Sequence, residues 1–181
     1  FYKDIELADH INQHDHRPRL MNVLEYIVQL ASQDGRLTIC DFGCGNGGLI
    51  REIESKISNR IWGYDLLPAN VKDAHSKGNS QNVTYKDFVT DETGIEYPDI
   101  AICTEVLEHL VDPDAFLSKL LDKGVQCIVA SSPDYESPNY HAPFHLWVFN
   151  GDSYKDMFDK AGWNVILHHK DFFQYIVAVR K

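Results

Sequence analysis

The sequence is short of basic side chains. It contains 17 lysines and arginines against 27 aspartates and glutamates, a formal net charge of -10 at pH 7. A protein that binds nucleic acid or an anionic membrane surface needs a basic face to neutralise phosphate groups. We therefore expect neither nucleic acid nor a membrane as the main partner. The sequence also lacks any apolar run of about 18 residues, the length of a membrane-spanning helix.

Cysteines are few, and their spacing does not form a zinc motif. Cys40 and Cys44 are separated by three residues, but no second pair with similar spacing follows. Together with Cys103 and Cys127 they fall in or beside apolar runs that predict strands. Buried, reduced thiols are typical of a reducing compartment. We therefore expect a cytoplasmic protein without disulfides.

Residues 37–48, LTICDFGCGNGG, are the stretch around which the rest of the chain is organised. Their first residues are apolar and β-branched, which predicts a buried parallel strand. Four glycines then fall within six residues, and residues 49–53 continue with helical spacing. A strand, a glycine-rich turn and a helix present backbone N–H groups to a nucleotide-like ligand. Glycine is needed in such a turn because a side chain would hold the ligand away from the backbone.

Asp41 lies two residues before the first of these glycines, Gly43. The dinucleotide-binding fingerprint has no acid there, whereas D-F-G-C-G-N-G resembles motif I of the class I S-adenosylmethionine (SAM) methyltransferases. The resemblance implies that SAM is the cofactor and that the acid and the glycine backbone face its amino-acid end. A carboxylate suits that ligand because the sulfonium and the ammonium are cationic. The alternative is a tight turn that binds no ligand.

Two further acids are candidates for the cofactor site. Asp65 ends a predicted strand over residues 60–66, 24 residues after Asp41, where it can accept hydrogen bonds from ribose hydroxyls. It could also cap the helix predicted from residue 68. By resemblance, Asp87 and Phe88 flank the adenine, although Asp87 could equally be a turn residue. The predicted cofactor-binding residues are Asp41, Gly43, Cys44, Gly45, Asn46, Gly47, Asp65, Leu66, Asp87, Phe88, Thr104 and Glu105.

The order of the remaining segments predicts the fold. Apolar runs over residues 99–104 and 125–132 predict two more core strands, and residues 163–179 predict a terminal antiparallel hairpin. The resemblance covers residues 35–181 and implies an α/β fold: one Rossmann-like, mostly parallel seven-stranded sheet with strand order 3-2-1-4-5-7-6. The last strand should be antiparallel, with helices on both faces and SAM across the ends of strands 1, 2 and 4. We expect residues 1–34 to form a lead-in and a helix that caps the cofactor site, and the whole chain to be one domain.

Three histidines are candidates for the chemistry of methyl transfer. A hydroxyl acceptor must lose a proton as the methyl group is transferred, and histidine has an ordinary pKa near neutrality. His109 lies in E-V-L-E-H-L, where sugar O-methyltransferases of this fold have a similarly placed base, with Glu108 beside it to orient it. His141 and His145 lie in the loop over residues 133–149. We predict His109 as the base, with His145 next, although His109 could merely border the cofactor.

The same loop is the predicted acceptor site. Its candidate substrate-binding residues are Tyr135, Tyr140, His141 and Phe144, whose rings suit stacking on a sugar or a planar ring. The sequence and the resemblance therefore predict a methyltransferase that acts on a small-molecule or glycan hydroxyl, with a sugar hydroxyl as one candidate. The alternatives are an N-methyltransferase of a small amine and a non-catalytic subunit. Glu105, Glu108, His109 and a loop histidine also resemble the metal site of the 2′-O-methyltransferases that act on small-RNA ends, but we expect no metal here.

Overall fold

A computed structural model describes residues 12–14, 16–76 and 82–181. Most of the lead-in that the sequence predicts before the first helix lies outside the described residues. The helices are α1 Arg17–Ala31, α2 Gly48–Glu54, α3 Pro68–Ser76, α4 Pro113–Asp122 and α5 Gly151–Lys160. The strands are β1 Ile39–Phe42, β2 Ile61–Asp65, β3 Val83–Tyr85, β4 Ile100–Thr104, β5 Cys127–Pro133, β6 Trp163–Lys170 and β7 Phe173–Arg180. In the described part of the chain, no helix is both long and apolar enough to cross a membrane.

The strands form one seven-stranded sheet in the order β3-β2-β1-β4-β5-β7-β6. Pairing is parallel between β1 and β2, β2 and β3, and β4 and β5, whereas β7 is antiparallel to both β5 and β6. The predicted strand order and the antiparallel last strand are confirmed. The segment between β3 and β4 contains turns and no helix, as its polar composition predicted.

The contacts divide the chain into two compact units, Phe1–Glu96 and Tyr97–Lys181. In the first unit, α1 has Pro18 in its first turn and buries one apolar face, which includes Leu20, Val23 and Ile27, as its spacing predicts. This helix packs against α2. Strands β1 and β2 are buried along their whole length, which is typical of parallel strands covered on both faces.

One glycine of β2 makes room for the glycine-rich turn that follows β1. A Cβ atom on Gly63 would lie 2.6 Å from the Sγ atom of Cys44 and 2.5 Å from the Cδ1 atom of Ile50. These distances are shorter than van der Waals contact, so residue 63 must lack a side chain for the turn and α2 to pack on the strand. A glycine outside the motif thus contributes to the position of the turn.

In the second unit, both helices begin at side-chain caps. Asp112 accepts a hydrogen bond from the backbone N–H of Ala115 at the start of α4, and Asn150 accepts one from Ser153 at the start of α5. Strands β4 and β5 are buried throughout. All four cysteines of the chain are buried and none forms a disulfide, as the sequence predicted.

Candidate functional site

The turn after β1 is held by backbone hydrogen bonds. The N–H groups of Gly43 and Cys44 donate to the carbonyl of Tyr64 at 2.8 and 3.1 Å. Gly45 has φ +56°, and a Cβ atom there would meet no atom within 4 Å, so its side-chain direction opens into empty space. A left-handed backbone with open space beside it is the arrangement in which a ligand can approach the chain closely.

Asp41 is buried at the end of β1, with 1% of its surface exposed. The pKa of its carboxyl group is raised to about 8, chiefly by burial and then by the charge of Asp65, against a lowering effect of Arg19. Its Oδ1 atom has no hydrogen-bond partner among the described residues. A buried carboxyl group with an unsatisfied oxygen and a raised pKa is suited to a cationic partner. The SAM ammonium fits this requirement.

Arg19 on α1 is a residue that the sequence analysis missed. Its side chain is buried, with 2% exposure, and its charge acts on Asp41. The signal was present in the spacing, because Arg19 precedes Val23 and Ile27 by four and eight residues and therefore shares their buried helix face. A buried guanidinium in the same unit as the turn could bind the carboxylate of a SAM methionyl group.

Asp65 at the end of β2 makes three hydrogen bonds within the protein. Its Oδ2 atom accepts from the N–H of Gly45 at 2.8 Å, and its Oδ1 atom accepts from the N–H of Leu67 at 2.8 Å and from the side-chain amide of Asn70 at 3.1 Å. Two of these bonds hold Asp65 against the start of α3, although neither is donated by a backbone N–H group of the helix itself. Its contact with a ribose remains a prediction.

The other cofactor candidates of the first unit differ in what they can offer a ligand. Asp87 accepts from the backbone N–H groups of Val89 and Thr90 at 3.1 and 2.9 Å, which is the turn role that the sequence left open. Phe88 is 2% exposed and packs edge-on against Phe42, with ring centroids 5.4 Å apart. Phe88 thus belongs to the core in this structure. Leu66 is half-buried.

Two further residues of the glycine turn are buried, and their side chains are bonded within the turn or to α3. The Asn46 side-chain amide donates to the carboxylate of Asp73 on α3 at 3.1 Å. The Sγ atom of Cys44 lies 3.8 Å from the carbonyl of Gly45. These bonds hold the turn, whereas the backbone of Gly45 faces open space.

In the second unit, the chain leaves β4 through a strained residue. Glu105 has φ +54°, the only positive φ of a non-glycine residue in the described part of the chain. Its N–H donates to the carbonyl of Ser131 at 3.0 Å, and its carboxylate accepts from the Ser131 hydroxyl at 3.2 Å. Such strain persists where surrounding contacts hold it, and it is common at functional sites. Thr104, which precedes it, is buried.

Three of the predicted residues lie close together: Glu108 and His109, which follow β4, and His145, in the loop that follows β5. We call these three residues the histidine cluster. One ligand atom from each of them lies within 4.8 Å of the others. The two imidazole rings have centroids 4.7 Å apart at 79°, and Glu108 is completely buried. Phe144 stacks on His109 with centroids 5.6 Å apart. The cluster thus combines two nitrogen bases and a carboxylate.

The ring of His109 is held by the loop that follows β5. Its Nδ1 atom bonds the carbonyl of Phe144 at 3.2 Å, so the orienting partner of this atom is a backbone group and not the Glu108 carboxylate that the sequence suggested. The pKa of His109 is lowered to about 4, chiefly by burial and then by the charge of His145. The imidazole is therefore neutral at physiological pH.

The loop and the segment after β4 are joined by further hydrogen bonds. The N–H groups of Leu146 and Trp147 donate to the carbonyl of Glu108 at 2.8 and 3.2 Å. The Trp147 indole N–H donates to the carbonyl of Leu110 at 2.8 Å, although 44% of this side chain is exposed. Trp147 is thus held by a hydrogen bond at the surface, whereas Phe149, two residues later, is buried.

The structure places the other predicted acceptor residues, Tyr135, Tyr140 and His141, in different surroundings. Tyr135 stacks on Phe172 at the tip of the β6–β7 hairpin, with centroids 4.1 Å apart. Tyr140 is 73% exposed, and the Nδ1 atom of the exposed His141 bonds the carbonyl of the adjacent Ala142 at 2.9 Å. Phe144, the fourth predicted acceptor residue, contacts both imidazoles of the histidine cluster.

Comparison with known proteins identifies the family. A family model described as a methyltransferase domain matches residues 13–168, most of the chain. The chain belongs to this methyltransferase family. The sequence prediction of a SAM-dependent methyltransferase is thereby confirmed.

Relatives and solved structures agree with this assignment. The ubiquinone biosynthesis O-methyltransferase of Pseudomonas fluorescens strain Pf0-1 is 29% identical over 109 residues, which are 58% of this chain and 45% of that protein. The methyltransferase thus spans less than half the length of this curated relative. Magnesium protoporphyrin IX methyltransferase of Synechocystis PCC 6803 with bound SAH has a TM-score of 0.73 at 17% identity, covering 99% of this chain and 91% of that one. The small RNA methyltransferase HEN1 has a TM-score of 0.74 at 20% identity, and the match covers 98% of this chain and 27% of that one. At these identities the two structures show the shared fold alone.

Proposed function

We propose that this methyltransferase transfers the methyl group of SAM to a hydroxyl oxygen of a small-molecule or glycan acceptor, with a sugar hydroxyl as the first candidate. The observation that carries the proposal is the histidine cluster, because it places two imidazoles and a carboxylate within 4.8 Å. An amine acceptor is nucleophilic once neutral, whereas a hydroxyl needs a base as it reacts. The name of the curated relatives, O-methyltransferases, supports oxygen as the acceptor atom.

The first unit would hold the cofactor. SAM, when bound, supplies a methyl group that its sulfonium already activates for displacement. Asp41 would bind the ammonium, and Arg19 would bind the carboxylate of the methionyl group. Asp65 would accept hydrogen bonds from the ribose while it continues to hold the N–H of Gly45. We also propose that α1, which carries Arg19, closes this site. We further propose that the protein is cytoplasmic, since its buried cysteines form no disulfide.

The second unit would remove the acceptor proton. A pKa of about 4 makes His109 a weak base. Proton transfer to His109 is about 3 kcal/mol less favourable than proton transfer to an imidazole with the ordinary pKa near 6.5. His145 bonds the Glu136 carboxylate through its Nδ1 atom at 2.7 Å. We therefore assign proton removal to His145, with His109 as its neutral neighbour, which reverses the order that the sequence favoured.

An acceptor panel with tritiated SAM tests this function. The panel contains sugars, phenols, amines and a short RNA, each assayed with the wild-type protein. We expect a hydroxyl acceptor to be methylated, and we expect His145→Ala to lower kcat by about 10²–10⁴-fold with unchanged SAM affinity. His169→Ala, on the exposed end of β6, is the matched control and should retain the wild-type rate. Methylation of amines alone, or full activity of His145→Ala, would exclude the proposal.

A second candidate is the same reaction with a bound divalent cation. The three groups of the histidine cluster include two imidazoles and one carboxylate, a donor set that suits several divalent metals. Both imidazoles bond a carbonyl or carboxylate through Nδ1, a common arrangement around metal-binding histidines. Glu108, His109 and His145 would hold the ion. An RNA acceptor is less favoured, because residues 97–181 contain 12 acidic and 7 basic side chains, a net charge of -5.

Chelation separates the two candidates. Dialysis against EDTA should leave the rate unchanged if His145 acts as a base alone. A rate that is lost with EDTA and restored by Mg²⁺ or Mn²⁺ would establish the metal-assisted reaction. Methylation of the short RNA in the panel would show that the protein accepts RNA, the substrate class that the net charge argues against.

A further inference from the structure

Glu136 is a buried acid in the loop between β5 and α5 that has no place in the sequence-predicted site. Only 4% of its side-chain surface is exposed, against 8% for that of His145. Its two carboxylate oxygens have different partners. The Oε1 atom accepts from the backbone N–H of Ala142 at 2.9 Å, and the Oε2 atom lies 2.7 Å from the Nδ1 atom of His145.

The contact with Glu136 determines which nitrogen of His145 carries a proton. An ionised carboxylate can only accept hydrogen bonds, so the Nδ1 atom of His145 must be the donor. In the neutral imidazole the Nε2 atom then carries the lone pair. His109 has the same arrangement, because its Nδ1 atom bonds the carbonyl of Phe144, which also can only accept. In both neutral rings the lone pair is therefore on Nε2.

Glu136 also limits the movement of His145. The two residues are nine positions apart, and the loop between them is closed by the bond to Ala142 and by the bridge between Ser137 and Tyr140. A ring that is bonded at Nδ1 and packed edge-on against His109 and Phe144 has little freedom to rotate. The position of the Nε2 atom is thus fixed by the loop.

We propose that Glu136 is a positioning residue of the methyl-transfer reaction, which fixes His145 in the Nδ1–H tautomer and directs its bare Nε2 atom towards the histidine cluster. The role in the reaction rests on the proposed function, whereas the tautomer can be measured without any activity. The competing interpretation is that Glu136 only closes the loop through Ala142. The two roles use different oxygens, so one substitution can separate them.

Glu136→Gln keeps an oxygen that can accept from Ala142 and replaces the other oxygen with an NH₂ group. That group donates to the Nδ1 atom of His145, so the imidazole proton must move to Nε2. The loop would then remain closed while the tautomer changes. Asp134→Asn, two residues earlier in the same loop, makes the same chemical change on a side chain outside the cluster and serves as the control. Glu136→Asp keeps the carboxylate on a shorter side chain and tests for rescue.

The test is a long-range ¹H–¹⁵N correlation spectrum of ¹⁵N-histidine-labelled full chain at pH 8, with His145 assigned from its absence in His145→Gln. We expect the Nδ1–H form in the wild type and Asp134→Asn, and the Nε2–H form in Glu136→Gln. With the acceptor found in the panel, kcat of Glu136→Gln should fall about 10- to 100-fold with unchanged SAM affinity, and Glu136→Asp should recover part of the loss.

Three results would overturn the proposal. These are a wild-type His145 in the Nε2–H or doubly protonated form, a Glu136→Gln spectrum with the wild-type tautomer, and a changed tautomer with an unchanged kcat. If no acceptor is methylated, the proposed function fails, and the spectra still show whether Glu136 fixes the tautomer.

Discussion

The backbone N–H of Gly45 donates a hydrogen bond of 2.8 Å to the Oδ2 atom of Asp65. This bond joins the glycine turn after β1 to the end of β2. The other oxygen of Asp65 holds the start of α3 through Leu67 and Asn70. The turn is therefore already fixed in its geometry by an acid that is also predicted to bind the ribose. A prearranged site loses less entropy when it binds its ligand.

Substitution of Asp65 should weaken SAM binding more than it weakens the helix. Asp65→Ala removes the acceptor for the ribose and for Gly45, and we expect a loss of about 1–3 kcal/mol in SAM binding. Asn70→Ala, which removes only one bond to the same carboxylate, is the control and should change SAM affinity little. Calorimetric titration measures both. If the two variants bind SAM equally well, Asp65 only holds the glycine turn and the start of α3.

The affinity for SAM should increase with pH. The folded-state pKa of Asp41 is raised to about 8, so below that pH the empty protein holds a proton on this carboxyl group. Binding of an ammonium favours the carboxylate and expels the proton. The dissociation constant should therefore fall by up to about tenfold per pH unit between about pH 6 and 7.5, below the range where the SAM amino group itself titrates.

Asp41→Asn provides the control for this pH dependence. It retains a side chain of the same size and has no proton to release, so its weaker SAM affinity should be constant over the same range. Calorimetry in two buffers of different ionisation enthalpy measures the proton release directly. Proton uptake on binding, or a wild-type affinity that is independent of pH, would show that Asp41 is not opposite the ammonium.

Arg19 should influence SAM binding through its charge. Its guanidinium lowers the pKa of Asp41, so Arg19→Met should raise that pKa and shift the pH dependence of binding upwards. We expect affinity at pH 7 to fall at least about tenfold, because the variant also loses a hydrogen bond to the charged methionyl carboxylate, worth about 1.5–3 kcal/mol. Arg17→Met, on the exposed face of the same helix, should bind SAM like the wild type. Equal affinities of the two variants would assign Arg19 a role in packing alone.

The parts of the site that the sequence predicted consist of residues that are neighbours in the sequence. The strand β1, the glycine turn and α2 follow one another directly, and the composition of each segment determines its structure. The sequence named His109 and His145 as separate candidates for the base and did not predict the contact between their rings, because 35 residues separate them. The two rings lie close together because the N–H groups of Leu146 and Trp147 donate hydrogen bonds to the carbonyl of Glu108. No spacing in the sequence reveals these bonds.

The residues that the sequence did not reveal depend on tertiary contacts. Arg19 has the spacing of a buried helix face, but its burial and its effect on Asp41 are seen only in the folded chain. Glu136 is one acid in an acidic chain until the loop folds back and places it against His145. Tyr135 was predicted beside the acceptor, but the hairpin tip brings Phe172 against it. In each case the partner lies on another segment.

The most direct test of the account is SAM binding by Gly45→Arg beside Gly124→Arg. Both glycines have positive φ, +56° and +91°, and a Cβ atom at either would meet no neighbour within 4 Å. The two substitutions should therefore cost similar backbone strain, roughly 1–2 kcal/mol each. Only the side chain at position 45 would occupy the proposed cofactor space. Calorimetric titration should show no SAM binding by Gly45→Arg and wild-type affinity for Gly124→Arg, whereas wild-type affinity of a folded Gly45→Arg would contradict the assignment of this turn as the SAM site.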